Sequence, residues 1–450
     1  MKSRIGAWVS RVLVVLVAFS ALPAHAQKGI SLIRDAEIEH IIRAYATPLW
    51  QVAGLNPDSI NIHIVNDDSL NAFVAGGQNL FIHTGLLLRS ENASQVIGVI
   101  AHESGHIAGG HLSRTQDEIG NAVTSSILGM LLGGAAMATG RGDLGAAIMQ
   151  GSQQLAMNNF LSFSRGQESA ADAAALRFLD ATGQSAKGFA EFFDILGEQE
   201  LLSANQQEPY ARTHPLSRDR VDTVRAFIAK SRFSNTPTKP EFEVMHARMK
   251  AKLTGFMRPL QTTLRSYPET DTSMPARYAR SIAYYRVANL AKATALIDQL
   301  IAESPNDPYF HELKGQMLFE NGRGAESLPS YERAVSLDPS SPLLRVELAH
   351  AQIERNDPAL RKKAIEHLQF ALSKEPNEAM SWRYLATAYG QNDQMGESSL
   401  ALAEEAMLKH NTVDAVGLAK RAQGLLPKGS ANWLRAGDII ALNAKPKKNK

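Results

Sequence analysis

The run His102-Glu103-Ser104-Gly105-His106 constrains this chain more than any other feature of its sequence. The run lies in a segment, Ala93 to Leu112, whose apolar side predicts a helix. Side chains four positions apart share one face of a helix, so both imidazoles can reach a single ion. Glu103 follows the first histidine and is placed to touch water bound to that ion. Zn²⁺ with one open position lowers the pKa of its water to about 7, so the run predicts metal-assisted peptide hydrolysis with Glu103 as general base.

Residues 1–26 have the build of a secretory signal peptide. Three basic residues precede the short apolar stretch Val12 to Leu22, and Ala24-His25-Ala26 forms an A-x-A cleavage site. The apolar stretch is too short to span a membrane stably. Because no cysteine follows the cleavage site, we expect export without an N-terminal lipid anchor.

Cysteine is absent from all 450 residues, which excludes disulfides and thiolate metal ligands. Any zinc must therefore be held by His, Asp or Glu. Removal of the predicted signal takes away three of the 47 basic side chains and none of the 45 acidic ones, so the net charge changes from +2 to −1. This balance does not indicate nucleic-acid binding. The basic run at 445–450 is interpreted as a solvated tail.

Two changes in composition divide the chain. The first lies near Ser234 to Pro240, and the second is the proline-bearing joint Ser273-Met274-Pro275. We therefore predict a metal-binding domain over 27–240, a helical connector over 241–275 and an almost entirely helical domain over 276–450. The expected fold class is α+β and mostly helical.

The second half contains an internal repeat. Prolines at 305, 339 and 376 are 34 and 37 residues apart, which matches the helix-turn-helix tetratricopeptide module. We predict four hairpins from Ala276 to His410 and a terminal helical pair, Asp414 to Ala441, that caps them; stacked hairpins form a groove for peptides or proteins. The residues that match the module are Trp382, Leu385, Ala386 and Tyr389 in one copy, Gly315, Tyr331, Ala334 and Pro339 in another, Ala364, Leu368, Ala371 and Pro376 between them, and Tyr284, Ala293 and Pro305 in a weaker first copy.

Three short segments before the metal helix predict strands. Ile60 to Val65 alternates cleanly, and Asn71 to Gly77 and Leu80 to His83 follow it, joined at the glycines. A small sheet beside the metal helix would offer an edge to which an extended substrate could add as another strand. The two histidines on these strands, His63 and His83, are interpreted as structural.

Two runs without charge, 119–140 and 144–164, are long enough to admit a membrane span. The first is rich in Gly, Ala, Ser and Thr, and the second carries several Gln and Asn. We therefore predict a helical hairpin or lid over the active site, in contact with a membrane surface at most.

A second helix is predicted at Arg165 to Leu179, and it offers a third metal ligand. Glu168 and Asp172 are four residues apart and share a face of that helix. A carboxylate opposite two histidines completes a three-ligand site with one open position. Spacing alone does not choose between the two acids.

Four segments together resemble peptidase family M48: Ile100 to His106, Asn71-Ala72-Phe73, Thr84-Gly85-Leu86 and Ser164 to Asp172. The resemblance implies a zincin-like fold in the first domain and one Zn²⁺ per chain. It also implies Glu168 as the third ligand beside His102 and His106. Asp172 would then hydrogen-bond a ligand histidine and fix its tautomer.

Thr213-His214-Pro215, followed by Arg220, also resembles an element of the family. His214 would either stabilise the oxyanion or occupy the open zinc position and hold the enzyme inactive. Pro215 biases His214 toward an extended backbone, which suits a gate. Arg220 is a candidate partner of a site carboxylate. His111, five residues past His106, lies off the ligand face and is interpreted as a neighbour of the metal ligands or as a structural residue.

These observations predict a periplasmic zinc endopeptidase fused to a tetratricopeptide solenoid. The resemblance implies unfolded outer-membrane proteins as clients in envelope quality control, and the barrel-assembly machinery as a partner of the repeat domain. Composition and spacing indicate neither. The alternative is a chaperone or assembly adaptor whose peptidase site is largely silent.

Overall fold

The structure, a computed structural model, describes residues 31–115, 117–118, 128, 130, 142–200, 208–355 and 357–443. The predicted signal peptide at 1–26 and the basic tail at 445–450 lie outside these residues. So does the uncharged run 119–140, apart from positions 128 and 130. The fold below is therefore that of the described ranges.

A four-stranded sheet lies in the first half of the chain. Its strands are β1 (Leu32–Ile33), β2 (Asn61–Val65), β3 (Ala72–Ala75) and β4 (Asn79–His83), in the order β1-β2-β4-β3. β2 and β4 run parallel, and the two outer strands pair antiparallel to them. Strands are thus present at all three predicted places. β3 is shorter than predicted because a turn begins at Gly76.

Seven helices accompany the sheet in the described part of this half. They are α1 (Ala36–Val52), α2 (Thr84–Arg89), α3 (Ala93–Ala108), α4 (Gly142–Ala181), α5 (Lys187–Glu200), α6 (Pro209–Thr213) and α7 (Arg218–Lys230), with a short helical stretch at 111–115. The metal helix α3 ends four residues before the predicted Leu112. Gly110, with φ of 61°, makes the left-handed turn that breaks it.

The helix α4 is far longer than the segment predicted from residue 165. It runs for 40 residues and includes the uncharged stretch 144–164, so that stretch and the acids at 168 and 172 belong to one helix. In the described part of the chain, no helix is long and apolar enough to cross a membrane.

One apolar core joins the sheet to α1, α3, α4 and α5. Trp50 and Tyr45 of α1 are fully buried, together with Val96 and Ile100 of the metal helix. Burying side chains of this size stabilises a fold by about 1.5–3 kcal/mol each. The metal helix is therefore held on its apolar side by packing, which leaves the opposite side to carry the histidines.

The second half is a solenoid of antiparallel helix pairs, and the mostly helical α+β fold with a tetratricopeptide solenoid is confirmed. Its pairs are α10 (Met274–Arg286) with α11 (Leu290–Glu303), α12 (Pro308–Glu320) with α13 (Gly324–Leu337), α14 (Pro342–Ile353) with α15 (Pro358–Lys374), α16 (Ala379–Gln391) with α17 (Met395–Leu408), and α18 (Thr412–Leu425) with α19 (Ala431–Leu442); α8 (Pro240–Met257) and α9 (Leu260–Ser266) precede them. Gly315 shows why the module needs small residues, since a Cβ there would lie 2.8 Å from the Tyr331 ring.

Helix α8 lies in the predicted connector but is packed on both halves. Met249 and Leu253 belong to the core of the first half, whereas Ala251 belongs to that of the first repeats. Gly255 touches Ile282 so closely that a Cβ would lie 2.7 Å away. The connector is therefore a packed element between the halves, and the domain boundaries at 240 and 275 stay predictions.

Candidate metal centre

The site is built where α3 crosses α4. Gly105, between the two histidines of the motif, faces Ala171, and a Cβ at Gly105 would lie 2.8 Å from the Ala171 carbonyl oxygen. Such a distance is shorter than van der Waals contact allows, so glycine is needed for the helices to approach this closely. The close approach brings the histidines of α3 to the acids of α4.

Four side chains converge at this crossing: His102, His106, Glu168 and His214, each with one ligand atom within 4.8 Å of the others. His102 Nε2 lies 3.0 Å from His106 Nε2 and 3.4 Å from a Glu168 oxygen. His214, the residue that ends α6, places Nδ1 3.1 Å from Glu168 Oε2 and 3.4 Å from His102 Nε2. All four residues are buried.

Asp172 and Arg220 support this group from behind. Asp172 Oδ1 lies 2.8 Å from His102 Nδ1, the ring nitrogen that faces away from the other histidine. Arg220, from α7, donates to both oxygens of Asp172, at 2.6 and 2.9 Å, and lies 3.1 Å from Glu168. Such a partner fixes the tautomer and orientation of a ligand imidazole. Arg220 also donates to the Pro215 carbonyl oxygen at 2.8 Å, which holds the His214 loop.

The second histidine of the motif has its own partner. His111 Nδ1 lies 2.9 Å from His106 Nδ1, so the residue interpreted as lying off the ligand face orients a candidate ligand. On the other side of α3, the Trp50 indole N–H donates to Ser104 Oγ at 3.0 Å. His102 and His106 are therefore each oriented through Nδ1, the ring nitrogen that points away from the other candidate ligands.

Glu103 is completely buried, and the side chain of Tyr210 is close enough to stabilise its charged form. One oxygen lies 3.6 Å from His214 Nε2. Burial raises the pKa of Glu103. A charged carboxylate is costly at a buried position, so Glu103 is placed to accept a proton from a molecule that enters the site.

Tyr210 belongs to the site although no motif in the sequence marks it. Its ring stacks on His214 with centroids 4.4 Å apart, and its backbone N–H donates to the Leu70 carbonyl oxygen at 3.3 Å. Tyr210 lies one helical turn before His214, a spacing visible in the sequence only once the short helix α6 is known. The ring restricts where the imidazole can turn.

The histidines on the strands lie outside the four-residue group. His83 is buried against Ser69 Oγ, at 2.8 Å, and His63 lies 3.2 Å from Asn79 Oδ1 and stacks on Phe81. These contacts agree with their interpretation as structural residues.

His102, His106 and Glu168 differ in their protonation. Burial disfavours the charged form of His102, but its hydrogen bonds with Asp172 and Glu168 outweigh burial and raise its pKa to about 9. Burial, with repulsion from His102, lowers the pKa of His106 to about 2. Burial would raise the pKa of Glu168, but hydrogen bonds with His102 and His214 hold it far below its usual range. At neutral pH, His106 is therefore a neutral imidazole and Glu168 is a carboxylate.

This donor set fits a zinc ion. Three imidazoles and one carboxylate, with no thiolate, are nitrogen and oxygen ligands of the kind found in catalytic zinc sites. The donor atoms face each other across a buried space, where a cation would compensate the carboxylate charge. His102 and His106 are held by partners on their outward nitrogens, as ligand histidines are.

Residues 32–228 match the model of peptidase family M48, whose members are metal-dependent peptidases. The chain is also similar to curated beta-barrel assembly-enhancing proteases. It is 24% identical over 411 residues to that of Yersinia pestis, covering 90% of this chain and 83% of the relative. To that of Escherichia coli (strain K12) it is 22% identical over 407 residues, covering 90% and 82%.

Solved structures of repeat proteins match the solenoid weakly. YrrB, described as a tetratricopeptide repeat protein with an unusual peptide-binding site, has a TM-score of 0.33 and 16% identity, covering 39% of this chain and 91% of YrrB. MamA has a TM-score of 0.29 and 16% identity, covering 36% and 91%.

Replacement of Gly105 by alanine tests the helix crossing. The added methyl group must push α3 and α4 apart, which we expect to cost about 1–3 kcal/mol of stability and to lower zinc affinity at least tenfold. Thermal unfolding and zinc titration of the purified chain measure both. Gly166→Ala, on α4 in open space, is the matched control: it should leave zinc affinity unchanged and raise stability by about 0.5–1 kcal/mol, because alanine favours the helix. Unchanged zinc affinity in Gly105→Ala would contradict the packing argument.

The raised pKa of His102 predicts that zinc binding releases a proton. Without metal, His102 keeps its proton at pH 7 because its pKa is about 9, and zinc requires the neutral ring. The apparent zinc affinity should therefore fall about tenfold for each pH unit below 9. Calorimetry in buffers of different ionisation enthalpy counts the released protons. Asp172→Asn removes the acceptor that raises this pKa and should release fewer; equal release in both proteins would contradict the assignment.

Proposed function

We propose that this chain is a zinc-dependent endopeptidase of the bacterial envelope that acts on unfolded or stalled outer-membrane proteins. The observation that carries the proposal is the convergence of His102, His106, Glu168 and His214 beside the buried carboxylate of Glu103. The family match supports peptidase chemistry at this group. The predicted signal peptide supports a periplasmic location.

In this proposal, His102, His106 and Glu168 would hold a zinc ion, which would supply the Lewis acid that polarises the scissile carbonyl and activates water. Glu103 accepts the proton of the attacking water and passes it to the leaving amine. Its raised pKa, caused by burial, suits a group that must first take and then give a proton. Asp172 and Arg220 keep His102 in one orientation throughout.

The substrate class is supported by the remainder of the chain. A solenoid of helix pairs offers the repeated grooves with which such folds bind extended segments. The curated relatives are named as proteases that enhance beta-barrel assembly, which supports outer-membrane proteins as clients and the barrel-assembly machinery as a partner of the solenoid. Strand β3 lies at an edge of the sheet and packs beside the metal helix, where an extended client can pair.

A second function is supported by the position of His214. Its Nδ1 lies among the candidate ligand atoms, so His214 can occupy the position that catalysis needs open. A site closed in this way would leave the chain as a chaperone or assembly adaptor. The stacked ring of Tyr210 and the bond from Arg220 to Pro215 favour this position of the loop.

The peptidase is tested by Glu103→Gln, which keeps the size of the side chain but removes the base. We expect cleavage of an unfolded outer-membrane protein to fall at least a thousandfold, with bound zinc unchanged, because Glu103 is not a ligand. Glu168→Gln should instead lose zinc and activity together. Metal analysis and cleavage assays on the same samples separate the two. Cleavage that survives in Glu103→Gln would sink the proposed mechanism.

The role of His214 is tested by His214→Ala. If the imidazole closes the site, its removal should raise cleavage several-fold; if it stabilises the oxyanion, its removal should lower cleavage about a hundredfold. The position of Nδ1 among the ligand atoms makes us expect a rise. Steady-state kinetics on a short peptide measures the change, and a fall in kcat would instead assign His214 to the transition state.

A further inference from the structure

In the described part of the chain, two groups of charged side chains tie the solenoid to the first half, on either side of Ala36, which packs on the second and third repeats. The inner one is a buried charge cluster around Glu37, at the start of α1. The outer one, which we call the Arg34 clasp, consists of Arg34, Glu375 and Glu378. Arg34 lies 341 residues before Glu375 in the chain, so the clasp joins the start of the first half to the middle of the solenoid.

The inner cluster is almost completely buried. Glu37 accepts from Tyr278 Oη at 2.7 Å and from Arg248 at 2.7 Å, and Arg248 also pairs with Asp307. The ammonium group of Lys252 lies 3.4 Å from the same glutamate. Removing one member of such a cluster leaves an uncompensated buried charge. This cluster therefore fixes the first repeats on α1 and α8.

The Arg34 clasp is different because it is partly exposed. The guanidinium lies 2.8 Å from Glu375 and 2.5 Å from Glu378, and the three side chains are 27%, 33% and 38% exposed. Ion pairs of this exposure contribute about 0–1 kcal/mol each. We therefore expect the chain to stay folded without the clasp. Its small contribution to stability does not explain why the clasp is present.

Arg34 is held firmly at its own end. The preceding residues, Leu32 and Ile33, pair with β2, and the following residue, Asp35, caps α1 by accepting from the Ile38 N–H. Glu39 accepts from Arg34 Nε at 2.8 Å and orients the guanidinium. The clasp is thus attached to a rigid part of the peptidase half.

The inner cluster and the Arg34 clasp both contact loops that connect one repeat to the next. Asp307 lies in the loop between the first and second repeats, and Glu375 and Glu378 lie in the loop between the third and fourth. A stack of repeats in which each contacts its neighbours can bend along its length. Holding two loops that are two repeats apart fixes the curvature of the stack between them.

We propose that the Arg34 clasp is a positioning element that makes the enzyme selective for long unfolded chains over short peptides. The inference rests on the proposed function. A client held by the solenoid reaches the metal site at an effective concentration set by the distance and stiffness between the two. The clasp keeps that distance constant, whereas a short peptide reaches the site without contacting the repeats.

The test compares two substrates in Arg34→Gln. For an unfolded outer-membrane porin we expect KM to rise roughly three- to tenfold with kcat unchanged. For a fluorogenic peptide of about ten residues we expect no change in kcat/KM. Arg34→Lys should recover part of the loss. Arg323→Gln, which removes an ion pair with Glu326 inside one hairpin, is the matched control and should behave as the wild type.

A parallel loss on both substrates, or an unchanged KM for the porin, would overturn the proposal. Failure of the wild type to cleave either substrate would overturn the proposed function instead. In that case, the distance between the two halves tests the clasp without an activity assay. Because the chain has no cysteine, spin labels at Asp58→Cys and Gln391→Cys report the distance between the halves. We expect a narrow distance distribution that broadens in Arg34→Gln; an unchanged distribution would show that the clasp fixes nothing.

Discussion

The site depends on the contact between two helices at Gly105. The histidines of the motif lie on α3 and the acids on α4, and neither helix alone holds more than two of the candidate ligands. The absence of a side chain at Gly105 lets the backbones meet at Ala171. Asp172 and Arg220 then join the crossing to α7, because one carboxylate accepts from both His102 and the guanidinium. The geometry is therefore set by packing before any metal binds.

Much of this arrangement could be predicted from the sequence, because the spacing in the motif and along the repeat follows directly from helix geometry. The alternation of apolar residues predicted where the strands lie, because one face of the sheet is buried. The end of α3 was missed because the turn at Gly110 interrupts a pattern that continues to Leu112. The contact of Tyr210 with His214 was not predictable, since α6 has five residues and no periodicity. The choice of Glu168 over Asp172 needed the family resemblance, as both share one helical face.

The candidate ligands also differ in how firmly the structure holds them, and the sequence does not show this difference. His102 and His106 are fixed by Asp172 and His111 through their outward nitrogens, whereas His214 is held by a loop that ends a five-residue helix. A ligand on a long packed helix keeps its position, and one on a short segment can leave at lower cost. This difference supports the proposal that His214, unlike His102 and His106, can leave the metal position.

The buried glutamate at the start of α1 has a consequence for how the chain folds. Glu37 is paired with Arg248 and Tyr278, which lie more than two hundred residues further along the chain and must fold back to reach it. Until then, its charge cannot be buried without a partner. The first turn of α1 therefore stays solvated until α8 and the first repeat pack against it, and contacts between residues so far apart in the chain form slowly. Closure of the first helix is thus coupled to the arrival of α8 and the first repeat, which a truncation before Tyr278 would prevent.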